Sequence, residues 1–285
     1  MYKNPFNYTG AKFKLLPQIL PLFPDKINTF VDLFGGSGEL TFNTQAEHYI
    51  YNEKSKQLVN IFNNLDDDFI IDVEKVIQQY GLSKENKQGF LDLRTYYNTN
   101  LGTMSDRENA VILYCLLTHA FNYQIAFNSK GEYNMPSGKG RSYFSPQLKE
   151  KLTAYIDKNK QNDIRFLSYD FVDINIPSLV SSDDAFIYVD PPYYITVGAY
   201  ERDYFCKWSE EYENKLLALL DDLSTKGYKW AFSNVFEHKG KSNDLLKSWA
   251  SKYTIHYLNM DYKNCNYHTK DKSANSSVEV LITNY

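Results

Sequence analysis

Between residues 28 and 53 the chain reads strand, glycine turn, helix, strand, and this constrains the fold more than any other feature. "NTFVDLF" (28–34) is a short apolar run that stops at Gly35-Gly36-Ser37-Gly38. A helical pattern follows, and "YIYNE" (49–53) is a second apolar run ending in an acid. Strands joined through a helix predict parallel neighbours, because a parallel pair needs a crossover connection. Strand-like runs return at "IRFLSYDF" (164–171), "AFIYVD" (185–190), "KWAFSN" (229–234), "TIHYLNM" (254–260) and "VEVLITNY" (278–285). Helical patterns lie between several of them. In "EEYENKLLALLDDLSTKG" (210–227) the apolar stripe is Leu216, Leu217, Leu220 and Leu223, and Gly227 ends it. The expectation is an α/β fold with a mainly parallel sheet.

A largely helical stretch, 61–148, interrupts that alternation. Its clearest helix is "RENAVILYCLLTHAF" (107–121), with Ser105 as cap and Glu108 completing a capping box. "NSKGEYNMPSGKG" (128–140) is turn-rich, and Lys130-Gly131 between two short arms predicts a hairpin. There is no internal repeat and no low-complexity linker, so the division is 1–60, 61–148 and 149–285.

Composition removes several classes. The longest apolar run, Ala110 to Leu117, is too short to span a bilayer, and MYKNPFNYTG has no signal-peptide character. Cys115, Cys206 and Cys265 are odd in number and widely spaced, which argues against a metal cluster or disulfide framework and for a reducing, cytoplasmic setting. The five histidines are scattered, and His119 on its apolar helix reads as structural. A net charge of −4 gives no global nucleic-acid signal, so any such face must be local.

In an open parallel sheet, ligands sit beyond the C-terminal ends of the strands. Three features fall there: the glycine turn, Glu53, and Asp190-Pro191-Pro192-Tyr193. The turn lacks the third glycine of a dinucleotide motif and the Lys-Ser/Thr of a P-loop, so it is not a phosphate cradle. Glycines that admit close backbone approach, followed by an acid for ribose hydroxyls, suit an adenosine-bearing cofactor without phosphates. The prolines have no N–H, so the 190–193 stretch offers only acceptors, and Tyr193 offers a flat face. A planar aromatic amine meets those terms. Acceptors drawing on its two hydrogens favour a pyramidal nitrogen with a localised lone pair, and Asp190 would stabilise positive charge developing on that nitrogen.

These residues resemble the DNA adenine methyltransferases of the Dam type, over almost the whole chain. "NPFNYTGAKFKLLPQI" (4–19) is similar to the family's N-terminal motif, "FVDLFGGSGELT" (30–41) to its cofactor motif, and "YNEKSKQLVNIF" (51–62) to the next strand and helix. "SYDF" (168–171) resembles the segment that meets the cofactor's adenine, "DPPY" (190–193) the catalytic motif, and "VEVLITNY" the closing strand. The resemblance implies a Rossmann-like methyltransferase fold with an inserted, mainly helical target-recognition domain containing a β-hairpin. It implies S-adenosylmethionine as cofactor, double-stranded DNA as partner, and the 6-amino group of a flipped adenine as acceptor. It assigns Asp190 and the Pro191 carbonyl to the amine, with Pro192 beside them and Tyr193 stacked on the base. It places Tyr8, Lys12, Asp32, Phe34, Gly36, Ser37, Gly38, Glu53, Asp170 and Phe171 around the cofactor. On the DNA side it points to Phe121 as a wedge, with Asn122, Asn128, Lys130, Pro136, Lys139 and Arg141, and to the polar loop 262–277 along the backbone. Lys14 reads as surface charge. No membrane and no obligatory protein partner are implied.

The chain also departs from the family. Members that read GATC carry an arginine where this chain has Ala126, a lysine where it has Asn7 and a tyrosine where it has Gly140. A bidentate arginine–guanine contact contributes about 1–3 kcal/mol of discrimination, so a recognition site other than strict GATC is expected. The rival readings are an amino-methyltransferase for cytosine, RNA or a glutamine side chain, a DNA-binding module without catalysis, and a nicotinamide oxidoreductase. The leading acid of the tetrapeptide favours adenine over cytosine, where serine is usual. Glutamine enzymes usually start with asparagine and lack the hairpin. The intact tetrapeptide disfavours a silent module, and the missing glycine motif disfavours the oxidoreductase.

Overall fold

The computed structural model describes residues 1–6, 10–199, 208–259 and 277–285. Tyr8, Asn7, Cys206, Cys265 and nearly all of the 262–277 loop lie outside the described residues. Among the described residues eight strands form one sheet: β1 (Thr29–Asp32), β2 (His48–Asn52), β3 (Asp163–Leu167), β4 (Ala185–Val189), β5 (Lys229–His238), β6 (Lys241–Ser242), β7 (Thr254–Leu258) and β8 (Ser277–Thr283). Their order is β3-β2-β1-β4-β5-β8-β7, with β6 paired to β5. The first five are parallel, and β8 runs antiparallel to both β5 and β7. Every residue of β1 and β4 is buried, as both faces of a parallel sheet require. Alternation still shows: Phe30 joins the core with Leu16, Ile19 and Tyr188, whereas Val31 joins the opposite one with Ile187, Leu216 and Trp230.

Strand order reverses at β1, which pairs with β2 on one side and β4 on the other. Such a switch point leaves a crevice between diverging connections. The two strand ends there deliver Asp32 and Asp190.

The helical stretch packs around Asp106–His119, in which every residue from Ala110 to His119 is buried. That explains its unbroken apolar run: neighbours surround it, so it has no wet face. Helices Lys56–Asn63, Phe69–Gln79 and Lys87–Thr99 flank it. Ser105 Oγ accepts from Glu108 N at 3.1 Å, as expected of the cap, while the Glu108 carboxylate takes the Tyr96 hydroxyl at 2.7 Å. One buried cluster runs from Phe6 and Phe42 through this helix to Tyr133 and Ile156.

Several elements differ from expectation. The 107–121 helix ends at His119, and Phe121 starts a separate 3₁₀ turn with Asn122 and Tyr123 both at φ 54°. The segment predicted as strand 164–171 leaves the sheet after Leu167, so Ser168–Phe171 form a loop. β5 continues to His238, because its second half pairs with β8 through a bulge between Val235 and Glu237. Helix Pro146–Gln161 was not anticipated, although Ser145 and Pro146 are a cap and first-turn pair: Ser145 Oγ accepts from Leu148 N at 3.2 Å. In the 120–138 segment the antiparallel contacts are two isolated bridges, Phe127↔Tyr133 and Ala120↔Ser137. No helix among the described residues is long and apolar enough to cross a membrane.

Candidate active site

One cavity at the switch point brings the sequence features together. Its walls include Lys12, Asp32, Phe34, Gly36, Ser37, Glu53, Asp170 and Phe171 from the expected cofactor set. Asp190, Pro191, Pro192 and Tyr193 line the same space. It encloses about 1070 Å³, open solvent at its mouth included.

The glycine turn is shaped by its neighbours. A Cβ on Gly35 would stand 2.1 Å from the Tyr51 ring, so only glycine fits there. The Tyr51 hydroxyl donates to the Gly36 carbonyl at 2.7 Å, and the Gly36 N–H donates to Glu53 Oε2 at 3.1 Å. Gly38, at φ +74° and packed on Phe42 and Phe62, opens helix Glu39–Asn43 and lies outside the cavity lining. Glu53 Oε1 accepts the Ser55 N–H at 2.9 Å. Its carboxylate is thus pinned by two backbone donors on the cavity wall.

Asn52 ties three strand ends together. Its Nδ2 donates to the Leu33 carbonyl at 3.0 Å and the Tyr169 carbonyl at 3.1 Å, and its Oδ1 accepts the Tyr169 N–H at 3.0 Å. This bond set carries the 168–171 loop to the cavity. There Asp170 Oδ2 meets Lys54 Nζ at 2.8 Å and the Tyr212 hydroxyl at 3.2 Å.

At the end of β4, Asp190 Oδ2 pairs with Lys12 Nζ at 2.7 Å, and Oδ1 accepts the Tyr193 hydroxyl at 3.1 Å. The Lys12 ammonium also lies 5.0 Å from the Tyr193 ring centroid. Lys12 is held from behind: Glu39, buried in the following helix, accepts the Asn4 and Phe13 backbone N–H groups at 3.2 and 2.9 Å. Burial raises the Asp190 pKa, while the Lys12 charge and the bonds from Lys12 and Tyr193 pull it down. Burial is also the first reason Asp32 is pushed up to about 7; its bond from Thr41 opposes this, and the charges of Asp190 and Glu53 add to it. Burial raises the Tyr193 phenol, and the Asp190 and Glu279 carboxylates add to that.

Sequence reasoning missed Asn52, Lys54, Trp208 and Tyr212. Asn52 had a signal, since it precedes Glu53 at a strand end. Trp208 and Tyr212 had none in spacing; they enter the wall because helix Glu210–Thr225 starts beside Phe171. The expected DNA-binding residues lie on a separate segment and do not line the cavity. Phe121, Asn122, Lys130, Pro136, Lys139 and Arg141 are exposed. The Asn128 side chain is used within its own turn, accepting from the N–H groups of Lys130 and Glu132 and donating to the Glu132 carboxylate. Ala126 is buried. Lys14 is exposed, as read from the sequence. Among the described residues no group of three or more His, Cys, Asp or Glu is placed to hold a metal ion.

The sequence profile of the D12 class N6 adenine-specific DNA methyltransferases matches residues 8–264. The chain belongs to this family. It is 42% identical over 289 residues to the type II methyltransferase M.FokI of Planomicrobium okeanokoites, covering 99% of this chain and 43% of that protein. It thus spans less than half the length of that relative. Type II methyltransferase M1.LlaDCHI of Lactococcus lactis subsp. cremoris is 28% identical over 99% of this chain and 95% of its own length. A DNA adenine methylase of Haemophilus influenzae is 28% identical over 194 residues, 67% of this chain and 64% of that protein. The mixed α/β architecture with its mostly parallel sheet is consistent with a methyltransferase fold of this family.

The donor set fits the cofactor that the family implies. Glu53 offers acceptors for two vicinal hydroxyls, Asp170 an acceptor for an aromatic amine, and Phe34, Phe171, Trp208 and Tyr212 a flat apolar wall between them. The turn lacks a phosphate-binding lysine, which suits a nucleoside with no phosphates.

Proposed function

We propose that this chain methylates the 6-amino group of an adenine swung out of duplex DNA, with S-adenosylmethionine as donor. The observation that carries this reading is the Asp190 carboxylate, which grips N–H and O–H donors in the same cavity as Glu53 and Asp170. The Lys12 ammonium shows the character of the site: an internal amine already sits on the acceptor. Two of roughly four carboxylate lone-pair sites are taken, which leaves capacity for a docked amine. One amine hydrogen goes to Asp190 and the other to the Pro191 carbonyl, with the base on the face of Tyr193.

Bound there, S-adenosylmethionine supplies an electrophilic methyl carbon on a sulfonium. Glu53 holds the ribose hydroxyls, Asp170 the cofactor's amine, and the aromatic wall its ring. Asp190 stabilises positive charge as the target nitrogen gives its lone pair to carbon. With the methyl released from sulfur, the surplus proton would pass from the nitrogen to the Asp190 carboxylate and on to water. Extruding the base costs roughly a few kcal/mol, which Phe121 offsets by filling the gap in the stack. The 61–148 stretch, with its 120–138 hairpin, is the target-recognition part in this reading, and Lys130, Lys139 and Arg141 contact phosphates.

Recognition other than strict GATC is part of the proposal. The guanine-reading position holds Ala126, whose side chain is small and buried. Relatives named as type II methyltransferases align over 99% of this chain, against 67% for a DNA adenine methylase. A role in restriction–modification follows from the same likeness. Asp190→Ala should cut methyl transfer at least 10²-fold, on the order expected for removing one electrostatic stabiliser. DNA binding should stay within a few-fold. Activity surviving that substitution would overturn the assignment. Modification-sensitive sequencing of plasmid exposed to the protein reads the site, and methylation confined to GATC would refute the specificity claim.

A further inference from the structure

The cavity has one wall that no motif announced. Trp208 is 7% exposed and lines the cavity, with ring centroids 5.5 Å from Phe171, 5.8 Å from Phe34 and 5.8 Å from Tyr212. Behind it stands Glu213, fully buried and unused by the chemistry described above. The indole Nε1–H donates to Glu213 Oε2 at 2.6 Å. Glu213 Oε1 accepts from Asn243 at 3.3 Å and from Asn234 at 3.4 Å. Asn243 in turn caps helix Asp244–Ala250 by accepting from Leu246 N at 3.1 Å. The indole is therefore roped to β5 and to two helices through one carboxylate.

We infer that Trp208 is a cofactor-binding residue that stacks on the adenine ring of S-adenosylmethionine, and that Glu213 is the positioning residue that fixes the indole for it. Three features carry this. The first is chemical: a buried carboxylate is costly unless donors surround it, and packing Trp208 alone needs only an apolar neighbour. Here the two asparagines hold one oxygen of the carboxylate, and the other locks the indole by its single N–H donor. The second is directional. With that N–H engaged by Glu213, the ring offers only carbon to the cavity. The third is the company it keeps. Asp170, an amine acceptor, is bonded to Tyr212 of the same aromatic group, so a carboxylate stands beside the flat wall that Trp208 belongs to. A purine with an exocyclic amine has both features. Burial raises the Glu213 pKa, and its three donors act the other way.

The inference rests on the proposed reading of the cavity as a site for S-adenosylmethionine, and the experiment separates the two. S-Adenosylhomocysteine is titrated into the purified chain, with affinity read by calorimetry and intrinsic tryptophan emission followed in parallel. The other two tryptophans, Trp230 and Trp249, stack on each other at 5.9 Å beside the opposite, N-terminal end of β5. The wild-type emission should change on binding, and Trp208→Phe should abolish the change while affinity falls a few-fold. Trp208→Ala should weaken binding about 30-fold, and Glu213→Gln about fivefold. In the Trp208→Ala background Glu213→Gln should add nothing, because its effect runs through the indole. If the alanine variant does not fold, the phenylalanine variant alone and with Glu213→Gln carries the test. Unchanged affinity and an unchanged emission response in Trp208→Phe would overturn the assignment. So would a Glu213→Gln effect of equal size in both backgrounds, which marks a merely structural carboxylate. A wild-type chain that binds no S-adenosylhomocysteine overturns both this inference and the reading beneath it.

Discussion

The cavity at the strand ends and the 120–142 segment are built on opposite terms. Around the cavity, polar groups are bonded to distant parts of the chain: Asn52 to the loop at Tyr169, Glu39 to Asn4 and Phe13, Asp190 to Lys12. In the 120–142 segment the bonds made by its own side chains are local, as in the Asn128–Glu132 turn; its backbone is held from outside by Arg94, Asn98 and the Lys84 carbonyl, and most of the charged side chains face water. In the proposed reading, methyl transfer needs dipoles already in place before charge develops, and these long-range bonds fix them in advance. In the same reading, the exposed charged side chains of the 120–142 segment await the phosphates and bases of a DNA partner. Backbone strain marks the boundary between the two, since Asn122 and Tyr123 both sit at positive φ where the apolar helix hands over to that surface.

If this contrast is right, the largest stability effect of a single charge should lie in the cavity. Asp32 is buried at the end of β1, where burial above all pushes its pKa from 3.8 to about 7. The sign follows from linkage. Between those values the native state holds a proton that the unfolded chain has released, so stability is fullest below about pH 4 and is lost as pH rises through 7. The ceiling is about 4 kcal/mol, at roughly 1.4 kcal/mol per pKa unit. Asp32→Asn should therefore raise the melting temperature at pH 8 and shrink the pH 5–8 slope by about one proton. Thermal melts across that range check it, and a slope that survives the substitution would show that the buried carboxyl is not the linked group.

Phe121 tests the other side of the comparison. It is 37% exposed, so Phe121→Ala should leave the melting temperature nearly unchanged, in line with surface substitutions within about 0.5 kcal/mol. In the proposed reading it should slow turnover about tenfold and lower 2-aminopurine emission at the target position, because the extruded state loses its wedge. A large drop in melting temperature with normal turnover would instead make Phe121 part of the core.

The same division governs what the sequence disclosed. Parallel architecture was legible because short apolar runs, Phe30-Val31, Tyr49-Ile50-Tyr51 and the whole of β4, lie within β1, β2 and β4, and glycine and acid stand where strands end. The cavity's acids were legible for the same reason: Asp32, Glu53 and Asp190 each occupy or follow the last position of a strand. Trp208 and Glu213 were not, because their importance comes from where helix Glu210–Thr225 docks, and nothing in a periodic apolar stripe reports that. β5 was read four residues short, because its second half is specified by a partner, β8, some forty residues away. Helix 106–119 was read two residues long at its C-terminal end, because Ala120 and Phe121 continue its apolar character while their backbone has already turned away to meet Pro136 and Ser137.

The smallest effect separates positioning from chemistry. Lys139 and Arg141 flank Gly140, which is at φ +76°, and the Arg141 N–H donates to the Gly138 carbonyl at 3.0 Å. Gly138 is itself fixed, because a Cβ there would meet the Ala120 carbonyl at 2.6 Å and the Ser142 side chain at 2.3 Å. The loop is thus held by backbone, and truncating either exposed side chain should leave its path intact. Each of Lys139→Ala and Arg141→Ala should weaken DNA binding a few-fold and lower the salt slope of log K by about 1, uniformly across sequences. Affinity for S-adenosylhomocysteine should not move. If the slope stays where it was while sequence preference shifts, these side chains touch base edges rather than phosphates, and the division between a finished cavity and an unfinished surface would have to be redrawn at this loop.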